Sequence, residues 1–392
     1  MAESTPVPER LRIEFPEAGV ADLRARLANT RWPGDYGNAD WRYGVEQDWL
    51  GETLAYWRDG FDFQGLADAM NQWEHYRVVL DHVPIHYLHA RGRGPDPMPL
   101  VLTHGWPWTL WDFQHVIGPL TDPAAHGGDP ADAFDVIVPA LPGYPLSGPL
   151  TTTGVAVRAT AARWVQLVQE VLGYGRFGVH GGDWGASVSA QMAHEFAPHL
   201  VGAHLSLPVL LTVSYYSGLS REDYGPDEQG WYDKMQERMA PANAHVAVHT
   251  SDPQTLAYAF NDSPAGLAAW ILERRRLWSD HDGDVFDAIS RDDLLAWVTL
   301  YWFGQSIGTS MRYYWEQWKN PVRLVHDRTP ALEAPTAIAV FPNDLVFVPR
   351  AVAERHANLH RWTVMPRGGH FAAAEEPDLL VDDLRAFFRP LR

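Results

Sequence analysis

The five residues Gly181-Gly182-Asp183-Trp184-Gly185 follow an apolar segment, 177–180, and have the form G-x-D-x-G. This form is typical of a nucleophile elbow, a sharp strand-to-helix turn that presents one reactive side chain, with aspartate in place of serine. The glycines permit the strained backbone and close packing of such a turn, and the N-terminus of the following helix stabilises a carboxylate. An aspartate that merely caps a helix is the alternative interpretation. On the first interpretation, Asp183 is a nucleophile.

A second motif, His104-Gly105-Trp106-Pro107, follows the strand candidate 100–103. In folds built around a nucleophile elbow, such a loop presents the backbone N–H of its third residue to the reacting group. The N–H groups of Trp106 and Trp184 are thus predicted to form an oxyanion hole, a pair of donors that stabilises negative charge developing on oxygen. His104 itself is expected to brace the loop, because the chemistry of this motif belongs to the backbone.

An acid and a base follow the elbow in the chain order that elbow-containing folds use. Asp344 comes directly after the strand candidate 336–341, and His370 stands in Arg367-Gly-Gly-His-Phe371, beyond the last strand candidate. Any one of the 18 histidines could be structural, but a histidine after two glycines and past the final strand fits a base. We therefore predict a triad of Asp183, Asp344 and His370.

An aspartate nucleophile selects a particular class of reaction. A carboxylate attacks amides poorly, but it displaces a leaving group from strained or activated sp³ carbon and gives an alkyl ester. His370 is then expected to activate water against the ester carbonyl, while Asp344 fixes the tautomer of its imidazole. Epoxides and alkyl halides both fit this chemistry.

The two substrate classes differ in what receives the leaving group. An alkoxide needs a proton, which a phenol of pKa about 10 supplies well. A halide needs only N–H donors, often from tryptophans, and Trp184 stands next to the nucleophile, so a haloalkane or haloacid dehalogenase is an alternative. A further alternative is a non-catalytic receptor or scaffold, but such proteins usually lose a member of the triad.

The elements that must position these residues form an α/β pattern from about residue 99 onward. Short buried strands alternate with helices, which predicts a parallel sheet whose carboxyl edge carries the reactive loops. We expect an α/β-hydrolase fold in which residues 96–208 and 326–392 form the core and residues 209–325 form a helical cap. The strand candidates are 100–103, 135–139, 177–180, 203–207, 336–341 and 362–365.

Residues 1–95 are expected to form an N-terminal extension that packs onto this assembly. Val20, Leu23 and Leu27 share one face of a predicted helix. Two further helical patterns and two strand patterns follow, near residues 49–57, 66–73, 76–80 and 85–88.

The composition limits the partners of the chain. Its 31 basic and 49 acidic residues give a net charge of −18, which would repel a phosphate backbone and argues against nucleic-acid binding. The absence of cysteine excludes disulfides, thiolate catalysis and metal ligation by cysteine. The N-terminus has no apolar signal region, and no apolar run approaches the roughly 18 residues of a membrane span. We expect a soluble cytoplasmic protein that uses no cofactor or metal and acts on a small molecule and water.

Several segments together resemble the microsomal-type epoxide hydrolases. In the predicted cap, Tyr301-Trp302-Phe303, Ser306-Ile-Gly-Thr-Ser310 and Arg312-Tyr313-Tyr314 are similar to that family, as is the segment 261–273. The resemblance covers nearly the whole chain. Other motifs that match are Arg31-Trp32-Pro33, Trp73, His104-Gly-Trp-Pro107, Leu141-Pro-Gly-Tyr144, Gly181-Gly-Asp-Trp-Gly185 and Gly368-Gly-His-Phe-Ala-Ala373.

The resemblance implies hydrolysis of an epoxide, aryl or otherwise bulky and apolar, without a cofactor. It also implies that Tyr314 protonates the epoxide oxygen, while Tyr313 faces elsewhere because adjacent helical residues do not share a face. The other cap tyrosine of the family falls by simple counting on His245, or on Asn243 if one gap is allowed. We therefore predict His245 as a candidate second donor to the epoxide oxygen, either as neutral imidazole or as imidazolium.

The 18 tryptophans indicate what kind of cavity the cap encloses. Many of them stand between Trp231 and Trp318, which predicts an aromatic-lined cavity. Within the family, this compact form with an aromatic-rich cap is similar to bacterial enzymes associated with enediyne-type antibiotic biosynthesis.

Overall fold

The sheet at the centre of the fold contains nine strands among residues 6–214, 218–321 and 323–392, which the computed structural model describes. The predicted extension and cap also include residues 1–5, 215–217 and 322, which lie outside the described residues. The strands are β1 (Glu9–Leu11), β2 (Glu74–Leu80), β3 (Val83–Ala90), β4 (Met98–Thr103), β5 (Phe134–Pro139), β6 (Phe177–Gly181), β7 (Leu200–Leu205), β8 (Leu332–Val340) and β9 (Ala357–Val364).

Six neighbouring strands, in the order β5-β4-β6-β7-β8-β9, are parallel. Every residue of β5, β6 and β7 is buried, as expected for parallel strands covered on both faces. The predicted α/β-hydrolase fold is confirmed. The largest error in the predicted strand bounds is at β9, which begins five residues before the predicted strand. β9 is an edge strand, and most of its residues are only half-buried. No apolar run therefore marks where it begins.

The N-terminal hairpin extends this sheet in addition to packing on the assembly. β1 pairs with β2, β2 pairs with β3, and β3 pairs with β5, each in the antiparallel sense. Every residue of β3 is buried. The two strands predicted near residues 76–80 and 85–88 are therefore an integral part of the central sheet.

Helices cover the sheet and build the cap. They are α1 (Glu17–Ala28), α2 (Gln47–Asp59), α3 (Phe63–Met70), α4 (Gln114–Thr121), α5 (Val157–Gln166), α6 (Asp183–Glu195), α7 (Trp231–Ala242), α8 (Ala244–Ser251), α9 (Pro253–Asp262), α10 (Pro264–Trp278), α11 (Arg291–Gly304), α12 (Ile307–Lys319), α13 (Arg350–His356), α14 (Ala372–Glu375) and α15 (Pro377–Phe388). α6 contacts β4, β6, β7 and β8 and packs against α5, whereas α15 packs against α4. None of the helices in the described ranges has the length and apolar character that a bilayer crossing requires.

The helices α7 to α12 lie between β7 and β8 in the chain, where the cap was predicted. α12 packs against α8 and α9, and α10 packs against α9 and α11. The N-terminal extension contacts this unit: the indole N–H of Trp57 donates to Thr299 Oγ1 at 2.9 Å, and Arg26 donates to the carboxylate of Asp262 at 2.8 Å. The extension thus binds the cap at the same time as its hairpin joins the sheet.

The turn between β6 and α6 requires glycine for a steric reason. Asp183 has a φ of +49°, in the left-handed region that non-glycine residues rarely adopt. The helix that begins there runs so close to β4 that a Cβ atom on Gly185 would overlap the carbonyl oxygen of Thr103. At this turn the two backbone segments therefore pass too close together to admit a side chain at position 185.

We predict that Gly185→Ala lowers the free energy of unfolding by about 3 kcal/mol, because the new methyl group forces β4 and α6 apart. Gly175→Ala is the matched control, since a Cβ atom there meets nothing within 4 Å, and its effect should stay below about 0.5 kcal/mol. Urea-unfolding curves measure both changes. Equal stabilities of the two variants would contradict the steric account of the elbow.

Candidate active site

The loops after β6, β8 and β9 bring the predicted triad together at the carboxyl edge of the sheet. His370 Nε2 lies 3.4 Å from Asp183 Oδ2, and His370 Nδ1–H donates to Asp344 Oδ1 at 2.7 Å. The predicted nucleophile and base are thus in direct contact, closer than a bridging water would require. The hydrogen bond to Asp344 fixes the orientation of the ring, so that Nε2 is the nitrogen that faces Asp183.

The positive charge of His370 and the negative charges of Asp183 and Asp344 stabilise one another. Burial alone would lower the pKa of His370, but the carboxylates of Asp344 and Asp183 outweigh it and raise the pKa to about 10. The imidazole is therefore protonated at neutral pH. Its positive charge lies between two carboxylates, and the side chains of all three residues are at least four-fifths buried.

Asp183 is stabilised as an anion from several directions. Its Oδ1 accepts a hydrogen bond from the backbone N–H of Trp106 at 2.8 Å, and α6 begins at Asp183 itself. Burial would raise the pKa of Asp183, but His370 and the N–H groups of Trp106 and Trp184 outweigh it and hold the pKa below its ordinary value. The predicted oxyanion-hole donors thus both face the elbow carboxylate.

A cavity of about 160 Å³ opens beside the Asp183 carboxylate. Ligand sites for drug-sized molecules usually measure about 300 to 1,000 Å³, so this cavity fits a compact molecule better than a bulky one. Its lining is mainly aliphatic and aromatic, with a few polar groups. The lining residues are Asp183, Trp184, Ser187, Leu207, Met239, Ala242, Asn243, His245, Val246, Trp278, Tyr314, Leu345, Val346 and His370.

Tyr314 and His245 stand together in this cavity. His245 Nδ1–H donates to the carbonyl oxygen of Ala242 at 2.9 Å, and His245 Nε2 lies 3.2 Å from the hydroxyl of Tyr314. Burial lowers the pKa of His245 to about 3, so its ring is neutral. With its one proton on Nδ1, the ring accepts a hydrogen bond from Tyr314. In this arrangement the single N–H of the neutral ring is directed at the carbonyl oxygen of Ala242, and a donor role for His245 stays a prediction.

Tyr313 and His104 make hydrogen bonds that hold the fold around the cavity. The hydroxyl of Tyr313 shares a hydrogen bond with Thr160 Oγ1 at 2.9 Å, away from the cavity, as expected for the residue next to Tyr314. His104 braces its loop, since its Nδ1–H donates to the carbonyl of Gly105 at 3.0 Å and its Nε2 accepts from the N–H of Leu141 at 3.0 Å. In the described part of the chain, no group of three or more acidic, histidine or cysteine side chains is arranged to hold a metal.

A buried ion pair between the cap and the core was not predicted. Arg275, on α10, is fully buried and donates to both carboxylate oxygens of Asp112, at 2.6 and 3.1 Å, and to the carbonyl oxygen of Pro107 at 2.8 Å. Its guanidinium group lies 3.8 Å from the ring centre of Trp297 and 4.1 Å from that of Phe371. The cap is thereby joined to the loop that follows Trp106. The sequence does carry a signal for this ion pair. Arg275 stands four residues after the buried Ile271, which places a cation on the apolar face of α10.

The chain matches two families of known proteins. The family described as "Epoxide hydrolase N terminus" matches residues 8–113, and the "alpha/beta hydrolase fold" family matches residues 98–377. A Stigmatella aurantiaca protein with a provisional epoxide hydrolase name is 38% identical over 382 residues, which cover 97% of this chain and 84% of that protein.

Two further relatives are similar over almost their whole length. "Epoxide hydrolase 1" of Oryctolagus cuniculus is 32% identical over 403 residues, which cover 96% of this chain and 87% of that protein. The crystal structure of juvenile hormone epoxide hydrolase from Bombyx mori superposes with a TM-score of 0.86 at 25% identity and covers 98% of this chain and 96% of that one. With these matches across both the N-terminal extension and the core, the chain belongs to the epoxide hydrolase family and is an enzyme of the α/β-hydrolase fold.

Proposed function

We propose that the enzyme hydrolyses epoxides through a covalent ester on Asp183. The observation that carries this proposal is the position of His370, between a carboxylate at the elbow and the carboxylate of Asp344. In the first step, the Asp183 carboxylate attacks one epoxide carbon and the ring C–O bond breaks. The electron pair stays on the ring oxygen, which takes the phenolic proton of Tyr314. The products are a hydroxyalkyl ester and a tyrosinate.

Alkylation itself prepares His370 for the second step. The ester on Asp183 is neutral, so one of the two carboxylates that raise the pKa of His370 is lost. His370 can then release its proton, which balances the one that Tyr314 gave up, and become a base. It removes a proton from water as the water oxygen attacks the ester carbonyl carbon. The N–H groups of Trp106 and Trp184 stabilise the resulting oxyanion, and collapse of this intermediate expels the diol, which receives the proton from His370.

His245 acts through Tyr314 in this scheme. A neutral imidazole that accepts from the phenol fixes the direction of the hydroxyl before substrate arrives. When an epoxide oxygen is present, the hydroxyl turns to donate to it. Tyr314 is then the main proton donor, and His245 contributes by orientation.

The cavity supports a compact aryl or other apolar epoxide as the substrate. Its walls carry Trp184, Trp278 and several aliphatic side chains, and Tyr314 supplies the proton that an alkoxide needs and a halide does not. The phenol beside the nucleophile therefore favours an epoxide over a haloalkane. Formation of a vicinal diol from styrene oxide, without chloride release from haloalkanes, tests this choice.

We predict that His370→Gln traps the ester. Because alkylation consumes no base, this variant incubated with styrene oxide should add the mass of one substrate molecule to the peptide that contains Asp183, and should form diol very slowly. Peptide mass spectrometry measures the adduct. Asp183→Asn is the control and should show no adduct initially, although slow deamidation would restore some reactivity. An adduct on another residue, or none in folded protein, would overturn the assignment of the nucleophile.

We also predict how alkylation depends on the cap residues, measured as single-turnover rates in the His370→Gln background. Tyr314→Phe should slow alkylation about 100-fold through loss of a general acid, whereas Tyr313→Phe, the same change on the other face of α12, should not. His245→Ala should cost less than about tenfold. Because the pKa of His245 is about 3, the rate should not change with pH near 6.5. A rate that falls through pH 6.5 in the parent, but not in His245→Ala, would show instead that a protonated histidine donates.

A further inference from the structure

Glu375 holds the segment that carries His370 from both sides. Its carboxylate accepts hydrogen bonds from the N–H groups of Gly369 at 3.0 Å and Phe371 at 2.7 Å, the two residues that flank His370. The N–H of His370 itself donates to the carbonyl oxygen of Trp278, in the cap, at 3.0 Å. Three consecutive backbone N–H groups are therefore fixed, the outer two by one carboxylate.

Asp280, two residues beyond α10, connects the same segment to the loop of Asp344. Its N–H donates to the Glu375 carboxylate at 2.7 Å. Its own carboxylate accepts from the N–H of Gly368 at 2.8 Å and from the side-chain amide of Asn343, the residue before Asp344. We call Glu375 and Asp280 the loop clamp, because together they join the cap to both loops that carry the acid and the base.

The chemistry of the loop clamp suits accurate positioning. Hydrogen bonds from N–H groups to a carboxylate are shorter and roughly twice as strong as those between neutral groups, so they hold a loop more tightly. Desolvation raises the pKa of Glu375 to about 7, against the opposing effect of its three N–H donors and of His370. Both of its oxygens face backbone N–H donors, an arrangement that a glutamine, with only one accepting oxygen, cannot reproduce.

We propose that Glu375 and Asp280 are positioning residues for ester hydrolysis, which act by fixing His370 relative to Asp344 and Asp183. This inference rests on the proposed function. Alkylation of Asp183 consumes no base and tolerates a small displacement of His370. Hydrolysis requires the imidazole, one water and the ester carbonyl to be aligned, and a displacement of about 1 Å in such an arrangement can cost about 100-fold in rate.

The half-reactions separate positioning from a general structural role. Glu375→Gln keeps the shape but replaces one accepting oxygen with an N–H donor that opposes the backbone N–H groups. With styrene oxide as the probe, we expect alkylation within about threefold of the parent rate and ester hydrolysis slower by about 10- to 100-fold, so that alkyl-enzyme accumulates. Asp280→Asn should act in the same direction. Glu376→Gln, the same change at the next residue, whose carboxylate pairs with Arg367, is the matched control and should retain both rates.

A measurement without substrate distinguishes failure of the clamp from failure of the proposed function. The low-field proton resonance of His370 Nδ1–H, identified by its loss in His370→Gln, reports the hydrogen bond to Asp344. It should move in Glu375→Gln and Asp280→Asn and stay in place in Glu376→Gln. Equal losses in both half-reactions, or a folded Glu375→Gln variant with parental hydrolysis and an unmoved resonance, would overturn the proposal.

If Glu375→Gln does not fold, the same measurements on Asp280→Asn test the proposal. A parent enzyme that forms neither adduct nor diol would refute the proposed function instead, while the resonance still tests the clamp.

Discussion

A carboxylate that stays ionised inside a largely apolar cavity is the constraint on which the rest of this structure depends. Burial favours the neutral form of Asp183, and the fold opposes this with two backbone N–H groups, the N-terminus of α6 and the protonated ring of His370. The N–H of Trp184 and the N-terminus of α6 both depend on the sharp turn at the end of β6. The positive φ of Asp183 and the close passage of β4 against Gly185 are the steric consequences.

The cap does more than cover this carboxylate. It supplies Tyr314 and His245 to the cavity, and it is bonded to the loops of the core on the other side. Arg275 joins it to the loop after Trp106, and the carbonyl of Trp278 accepts from the N–H of His370. Because these contacts involve backbone atoms of the loops that surround Asp183, the position of α10 and the geometry of the predicted triad are coupled. Trp278, the last residue of α10, both lines the cavity and accepts from the N–H of His370, so the shape of the cavity and the alignment proposed for hydrolysis both involve this helix.

Much of this arrangement could be predicted from the sequence, because it is encoded locally. The elbow, the loop after β4 and the histidine after two glycines are short motifs, and alternating apolar segments indicated the parallel strands. What could not be predicted depends on residues far apart in the chain. The pairing of β3 with β5, the ion pair of Arg275 with Asp112 and the backbone contacts of Glu375 all follow from tertiary packing. The tautomer of His245 could not be predicted either, since it is set by one carbonyl oxygen. The association with enediyne-type biosynthesis rested on overall similarity and stays a prediction.

The most direct test of the covalent ester is the fate of water oxygen in a single turnover. Enzyme in excess over styrene oxide is allowed to react in H₂¹⁸O, and both the diol and the peptide containing Asp183 are weighed by mass spectrometry. If the carboxylate attacks carbon and water then attacks the ester carbonyl, the new hydroxyl oxygen of the diol comes from Asp183. A covalent ester therefore gives unlabelled diol and one ¹⁸O atom in the Asp183 carboxylate. Labelled diol with an unlabelled peptide would show that water opens the epoxide directly, and would refute the covalent ester.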